Sequence, residues 1–389
     1  RQFWSGIQNF MLLLIPVLLY FLSAVAIAVW HIFRRGFGVP WLSAVAVTTL
    51  GWGGMIFLRL RVPITLAGQQ WLGIGQAAQY PYFLLDGISW PYAFALSGLA
   101  VGTILTASAR LAYRSNPLSW AAILALCGAG LLAVTAADPL TLAMSWTAID
   151  LIELVLLLAT VRNSDLSQRV VLAFSARVLG TMVLLWAVLF ARSQGIDLNF
   201  TQIPASIAPI LLLAAGLRLG VLPLHLTLQT EIPMRRGLGA MLRSAAPAAS
   251  LVLLARLPAG GVESAWSPLL LTLTTLAVAY SALKWLFAED AVSGRPYWLI
   301  AMSGLALLSV LRGRPEASTA WGLAMLLPGG LLFLYTARER GTLVFALLGA
   351  LGLASLPFTP AAAGWLGLAS QPIDPAGIVF VVLHAALLG

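Results

Sequence analysis

The sequence predicts an all-α integral membrane protein of about thirteen transmembrane helices, with two inverted five-helix repeats that each contain a broken helix. Three observations carry this prediction. Of 389 residues, 60% are hydrophobic and only 9% charged, whereas a soluble domain carries about 25% charged residues. A chain so poor in charge cannot cover a globule with polar surface, and its mean hydropathy of +0.95 agrees. Apolar stretches recur from Phe10 onward, each near the ~20 residues that cross a bilayer as a helix. Twelve or thirteen such spans occupy roughly 250 residues, which leaves short loops and no room for a separate catalytic domain. Finally, two of the stretches are interrupted in mid-span by Pro and Gly.

The spans follow from the apolar runs in order. Helix one is expected at 10–33 and helix two at 40–60. The longer loop 62–89 is rich in Gly, Gln, Tyr and Pro, as suits an interfacial segment. Helices three to six are expected at 90–110, 117–136, 138–161 and 168–192. Helix seven covers 206–229 around Pro223, and helix eight covers 239–256 around Pro247. Helices nine, ten and eleven take 266–288, 295–312 and 316–336. Helix twelve starts near 341 and is interrupted at Pro357 and Pro360, and a thirteenth begins near Pro375. The chain begins at Arg1 and stops inside an apolar run at Gly389. The expectation is a chain trimmed at one or both ends, with the second repeat incomplete and no cleavable signal peptide to argue from.

Basic residues order the loops. One set of alternate loops carries Arg34, Arg35, Arg110, Arg114, Arg162, Arg169, Arg235, Arg236, Arg295, Arg338 and Arg340, eleven charges. The other set carries Arg1, Arg59, Arg61, Arg192, Arg256, Arg312 and Arg314, seven charges. By the positive-inside rule the N-terminus faces out and the first loop faces the cytoplasm, in an expected bacterial inner membrane. The same scatter argues against nucleic acid as the reason for the net charge of +9, because single and paired arginines at span ends are membrane anchors. The expected surroundings are the lipid bilayer and other membrane subunits.

The repeat is read from the breaks. Helix seven runs AAGLRLGVLPLHLTLQ and helix twelve runs LGLASLPFTPAAAGWLG. Each is the fourth helix of a block of five, so the domains are expected at 1–116, 117–257 and 258–389, the last two being the repeats. An odd-numbered block turns its second copy upside down. Paired broken helices in matching places of inverted halves point to an ion path, because a break frees backbone groups at mid-depth that side chains, water or an ion must satisfy. The plainer alternative is a packing kink.

Charges inside the spans give the candidate site. A charge near the bilayer centre costs about 2.5–3.5 kcal/mol on insertion scales and is usually functional. Asp150 and Glu153 are three apart on helix five and share one face. Arg177 lies within helix six, Arg218 within helix seven, and His225 two residues after Pro223. The expected pairing is the helix-five carboxylates with Arg177 or Arg218. It is either a structural ion pair or a proton or cation relay. Arg does not deprotonate in proteins, so a relay would titrate at the carboxylates and His225 while the arginines hold the field. His225 can equally cap a freed carbonyl. His31 and His384 lie near span or chain ends and are assigned nothing.

Several chemistries have no residues here. Cys127 stands alone in an apolar run, reads as a small buried hydrophobe, and offers no disulfide, haem or metal pattern. GWGGM at 51–55 has no strand before it or Lys after it, so these are packing glycines. No metal cluster, nucleophile triad or phosphate loop is present. No cofactor is expected, and any redox chemistry belongs to partners.

The strings LDGISWPYAFAL, ADPLTLAMSW, GLRLGVLPLHLTL and TEIPMRRGLGAML resemble the antiporter-like membrane subunits of respiratory complex I. Those subunits share a family with multi-subunit cation/proton antiporters, membrane-bound hydrogenases and related inorganic-carbon pumps. The resemblance is strong around 138–147 and 214–233 and faint after 290. It implies the same broken helices and a proton-translocating subunit of a quinone- or ferredoxin-linked assembly.

The departures are equally specific. Thr147 follows Trp146 where the family has Glu, and Asp150 lies one turn later, displaced by about 4.5 Å. Arg218 aligns with the helix-seven Lys, while Pro223 and His225 fit the family's Pro-x-His. The helix-eight Lys or His falls near Ala246–Ala248, the helix-eleven Lys at Gly329, and the helix-twelve Lys near Leu368. The second half is therefore expected to lack its titratable groups, as in a degenerate member. Such a chain is a half-channel or a scaffold. The alternatives are a structural anchor for another redox, photosynthetic or carbon-uptake complex, or a stand-alone ion transporter.

Overall fold

A computed structural model describes residues 2–34, 36–67, 81–107, 116–161, 164–227, 236–259, 262, 265–334, 343–369, 379, 382–384, 386 and 387. The helices, numbered in chain order, begin with α1 (Gln2–Phe33), α2 (Gly38–Leu58), α3 (Ser89–Ala107) and α4 (Pro117–Thr135). They continue with α5 (Pro139–Thr160), α6 (Ser164–Ser193), α7 (Ala208–Arg218) and α8 (Arg236–Ala255). The last five are α9 (Ser267–Leu286), α10 (Ala291–Leu311), α11 (Pro315–Ala324), α12 (Leu343–Leu353) and α13 (Pro360–Ala369). Among the described residues nine helices are long and apolar enough to cross a membrane, and α7 and α12 are shorter apolar pieces. The protein is an integral membrane protein with a helical fold. The expected thirteenth helix falls largely outside the described residues, as do Arg1, Arg35, Arg110, Arg114, Arg162, Arg235, Arg338 and Arg340.

The segment expected as a loop at 62–89 contains strands among its described residues. It contains β1 (Ile64–Ala67) and β2 (Tyr82–Leu85), paired antiparallel with Ile64 opposite Leu85. Both strands are too short to span a membrane, and pairing satisfies backbone groups that an apolar surround would leave costly. Asp138 ties this ribbon to the head of α5. Its Oδ1 accepts from the N–H of Leu140 and Thr141 (2.9 Å each), while Oδ2 accepts from the N–H of Tyr82 at 3.2 Å and from the Thr141 hydroxyl. Four donors on one carboxylate make an N-cap that also fixes a neighbouring element.

The chain divides into two compact units. The first contains Arg1–Ile152 and Arg235–Ala249. In it α1 packs on α2 and α4, and α3 packs on α2 and α4. Glycine makes these approaches possible: the Tyr20 ring occupies the space a β-carbon on Gly51 would need, and Phe21 lies 3.1 Å from that of Gly128. The packing role expected of Gly51 is thus visible, and Cys127 is fully buried beside the Leu96 carbonyl. Trp90 donates to the Met55 carbonyl at 2.7 Å and carries the Arg59 guanidinium over its ring at 5.1 Å.

The second unit contains Glu153–Met234 and Ser250–Gly389. Here α6 packs on α7, α9 on α10, α10 on α11, and α11 on α13. Both expected breaks are present. Helix seven does not run to 229; α7 ends at Arg218, five residues ahead of Pro223. Gly220 adopts φ +74°, and the N–H groups of Val221 and Leu222 fold back onto the Gly216 carbonyl at 3.0 and 3.1 Å. A left-handed glycine just past the last turn stops a helix, so Gly220 acts before Pro223 can. The second break separates α12 from α13, with Ser355 at φ +53°, Phe358 at φ +71°, and Pro357 and Pro360 between and after them. The helix eleven expected at 316–336 also loosens: Met325–Gly329 form a wider π turn around Pro328, which has no N–H to give.

Candidate functional site

The site is assembled from α5, α6 and α7 within the second unit. Glu153 projects from the second half of α5 and is 1% exposed. Arg177 projects from the middle of α6, equally buried, and its Nη1 donates to Glu153 Oε2 in an ion pair. The other carboxylate oxygen, Oε1, is buried with no hydrogen-bond partner among the described residues. One helical turn on from Arg177 stands Thr181, whose hydroxyl donates to the Arg177 carbonyl at 3.4 Å.

Arg218 completes the cluster as the last residue of α7. Its Nη1 donates to the Arg177 carbonyl at 3.2 Å and to Thr181 Oγ1 at 3.1 Å. The unwinding that begins at Leu219 leaves this residue at a helix end, where a cation is favoured by the helix dipole. Gly180 provides the passage: a β-carbon there would lie 2.6 Å from Arg218 Cγ and 3.1 Å from the Ala214 carbonyl oxygen. Arg177 thus joins two hydrogen-bonded groups: its guanidinium binds Glu153, and its backbone carbonyl accepts from Thr181 and Arg218. A carboxylate can give up and regain a proton, while the two guanidinium groups hold fixed positive charge.

The remaining sequence candidates are Asp150 and His225. Asp150 lies one turn before Glu153 on α5 and is 2% exposed. His225 is half-buried, with Nδ1 2.9 Å from the Pro223 carbonyl and Nε2 lacking a hydrogen-bond partner among the described residues. The Nδ1-protonated tautomer donates to that carbonyl. Its own N–H donates to the Gly220 carbonyl at 2.9 Å, so His225 helps close the turn that holds the break. Pro223 itself is exposed, as is Pro357 at the second break.

The second half looks different. Gly329, where the resemblance expects a lysine, faces the indole of Trp298, with Cζ3 2.6 Å from an added β-carbon. Trp298 is 1% exposed, donates from Nε1 to the Leu387 carbonyl at 3.1 Å, and meets Phe333 edge-to-face at 5.3 Å. An aromatic ring thus fills the position. Ala246 and Ala248 of α8 are buried. No group of three His, Cys, Asp or Glu side chains that could hold a metal occurs among the described residues.

Sequence reasoning missed Gly180, Thr181 and Trp298. The first two stand three and four residues after Arg177, and so on its helical face. That small-residue spacing beside a buried cation was the available signal. Trp298 gave none, because one tryptophan among fourteen is not singled out by sequence.

No family model and no curated protein matches the chain. Solved structures do match its fold. A chain of the membrane-bound sulfane sulfur reductase, an archaeal respiratory membrane complex, superposes with a TM-score of 0.76 at 16% identity, over 96% of this chain and 68% of that one. A chain of respiratory complex I from Thermus thermophilus gives 0.71 at 17% identity, over 95% and 86%. A chain of the Mrp complex from a Dietzia species gives 0.75 at 17% identity, over 97% of this chain and 46% of that one. This protein therefore shares the fold of membrane chains in these three complexes.

Proposed function

We propose that the chain is an antiporter-like membrane subunit of a complex I-like energy-converting assembly, working beside other membrane subunits. The observation that carries this reading is the buried Glu153–Arg177 pair linked through Thr181 to Arg218 at a helix break. Burying an ion pair costs several kcal/mol of desolvation per charge, and a packed apolar contact would be at least as stable. Retaining such a network beside a mid-helix break is what charge movement needs and structure alone does not. In this reading the first repeat, 117–257, keeps the path: Asp150 and Glu153 exchange protons, Arg177 and Arg218 set the field, and His225 stands at the mouth of the break. The second repeat, 258–389, is inverted. The N-terminus lies outside a bacterial inner membrane.

A second reading has a specific observation behind it. Trp298 packed against Gly329 puts a ring where a relay cation would be, which favours a non-conducting scaffold. Proton uptake by the intact assembly in pH-loaded vesicles separates the two. Asp150→Asn and Glu153→Gln should each lower the flux at least tenfold if the path runs here. Unchanged flux in both would leave the scaffold. Purification in mild detergent without stoichiometric partner subunits would instead indicate a stand-alone transporter.

A further inference from the structure

The second half holds, among its described residues, a buried histidine that the preceding reading does not use. His384, near the end of the chain, is 8% exposed. Its Nε2 lies 3.0 Å from the hydroxyl of Ser355, the residue at φ +53° that begins the break between α12 and α13. The imidazole stacks on Trp365 of α13 at 5.3 Å and 21°, and meets the ring of Trp321 of α11 edge-to-face at 5.1 Å and 66°. Two indoles and one hydroxyl thus enclose the ring.

The charged groups on the surrounding elements are few. At the start of α11 stand Arg314 and Glu316, both exposed. On α10, which reaches the same terminal segment through Trp298 and Leu387, Arg295 lies over the Phe333 ring. The described parts of α12 and α13 carry none. Among the described residues Ser355 is the one hydrogen-bond partner of His384.

We propose that His384 is a proton-binding site at the second helix break, with Ser355 as its switchable partner. In the neutral form with the proton on Nδ1, the Ser355 hydroxyl donates to Nε2. Adding one proton at Nε2 reverses the bond: Nε2–H donates to Ser355 Oγ, and the hydroxyl hydrogen turns away to another acceptor. The added charge stays on the ring, facing the π-cloud of Trp365, which attracts a cation. Because Ser355 is the residue at which the helix is interrupted, the reversal acts on the backbone of the break. Protonation of the site stands on this geometry; its use in transport rests on the function proposed above.

The experiment uses the full chain in lipid nanodiscs, with nitrogen-15-labelled histidine followed by NMR. The imidazole signal absent from His384→Gln is assigned to His384. It should pass from neutral imidazole to imidazolium as pH falls from about 9 to about 4. Ser355→Ala should displace the midpoint by about threefold to tenfold in proton affinity, the size of one hydrogen bond. If His384→Gln fails to fold, the double variant His31→Gln/His225→Gln leaves His384 as the single reporter. A signal that stays neutral over the whole range, or a midpoint unmoved in Ser355→Ala, overturns the proposal. Flux is measured separately. Normal titration with no flux in any form sinks the transport reading and leaves the site; flux without titration does the opposite.

Discussion

The Arg218 side chain lies across Gly180, and only the absence of a β-carbon on α6 lets it reach the Arg177 carbonyl and the Thr181 hydroxyl. Two helices meet here around a buried guanidinium, so the contact is both packing and electrostatics.

Gly180→Ala therefore has a definite expected cost. The added methyl would meet Arg218 Cγ at 2.6 Å and a backbone carbonyl at 3.1 Å, and overpacking of this kind costs about 1–3 kcal/mol. Gly53 on α2 is the control, because nothing lies within 4 Å of its β-carbon position; Gly53→Ala should gain about 0.5–1 kcal/mol, the preference of a helix interior for alanine. Thermal unfolding in detergent compares them. Equal midpoints would mean that Arg218 moves aside freely.

The Glu153–Arg177 pair predicts strong coupling. Glu153→Leu or Arg177→Met alone breaks the buried pair from one side and should cost about 3–5 kcal/mol. Replacing both removes the pair as a whole, and side chains in direct contact couple, so Glu153→Leu/Arg177→Met should lose clearly less than the sum. A double-mutant cycle from unfolding in mixed micelles measures the difference. Strict additivity would show that the pair is not what holds α5 to α6.

The helical class and the two breaks were legible because lipid imposes simple rules: spans of fixed length, few charges, and Pro or Gly where a helix is interrupted. Where the breaks begin was less legible. Pro223 marked the first, yet Gly220 ends α7 earlier, because a left-handed residue acts on the turn that precedes the proline. The ribbon of β1 and β2 was hidden in a segment whose Gly, Gln and Pro read as a loop. Of the site, charge scarcity identified Glu153, Arg177 and Arg218 directly. Gly180 and Thr181 contribute space and one hydroxyl, which no composition rule flags. His384 looked like a chain-end residue, because its partners Ser355, Trp321 and Trp365 are brought to it only by folding.

Trp298 and Gly329 form a tight pair that can be tested by relief. Gly329→Ala drives a methyl into the indole and should cost about 1–3 kcal/mol. Trp298→Ala alone opens a cavity and should cost about 3–5 kcal/mol. In Gly329→Ala/Trp298→Ala the ring is gone, so Gly329→Ala should be nearly free of its own cost there. Unfolding midpoints of the four proteins give the answer. A double variant as poor as the sum would mean that the ring does not occupy the Gly329 position.

The turn after Arg218 can be dissected with two glycines of the same backbone conformation. Gly220 and Gly195 have φ of +74° and +73°. An alanine at either pays the left-handed penalty, about 1 kcal/mol. At Gly195 nothing lies within 4 Å, so the penalty should end there. At Gly220 the new β-carbon would meet the His225 carbonyl and come within 2.9 Å of Thr227 Cγ2. Gly220→Ala should thus lose about 1–3 kcal/mol more than Gly195→Ala. In the conducting reading proposed above it should also lower proton flux, because the turn that His225 closes is the one that leaves Arg218 at the end of α7. Equal losses at both positions, or unchanged flux in Gly220→Ala, would separate the shape of this turn from the behaviour of the site.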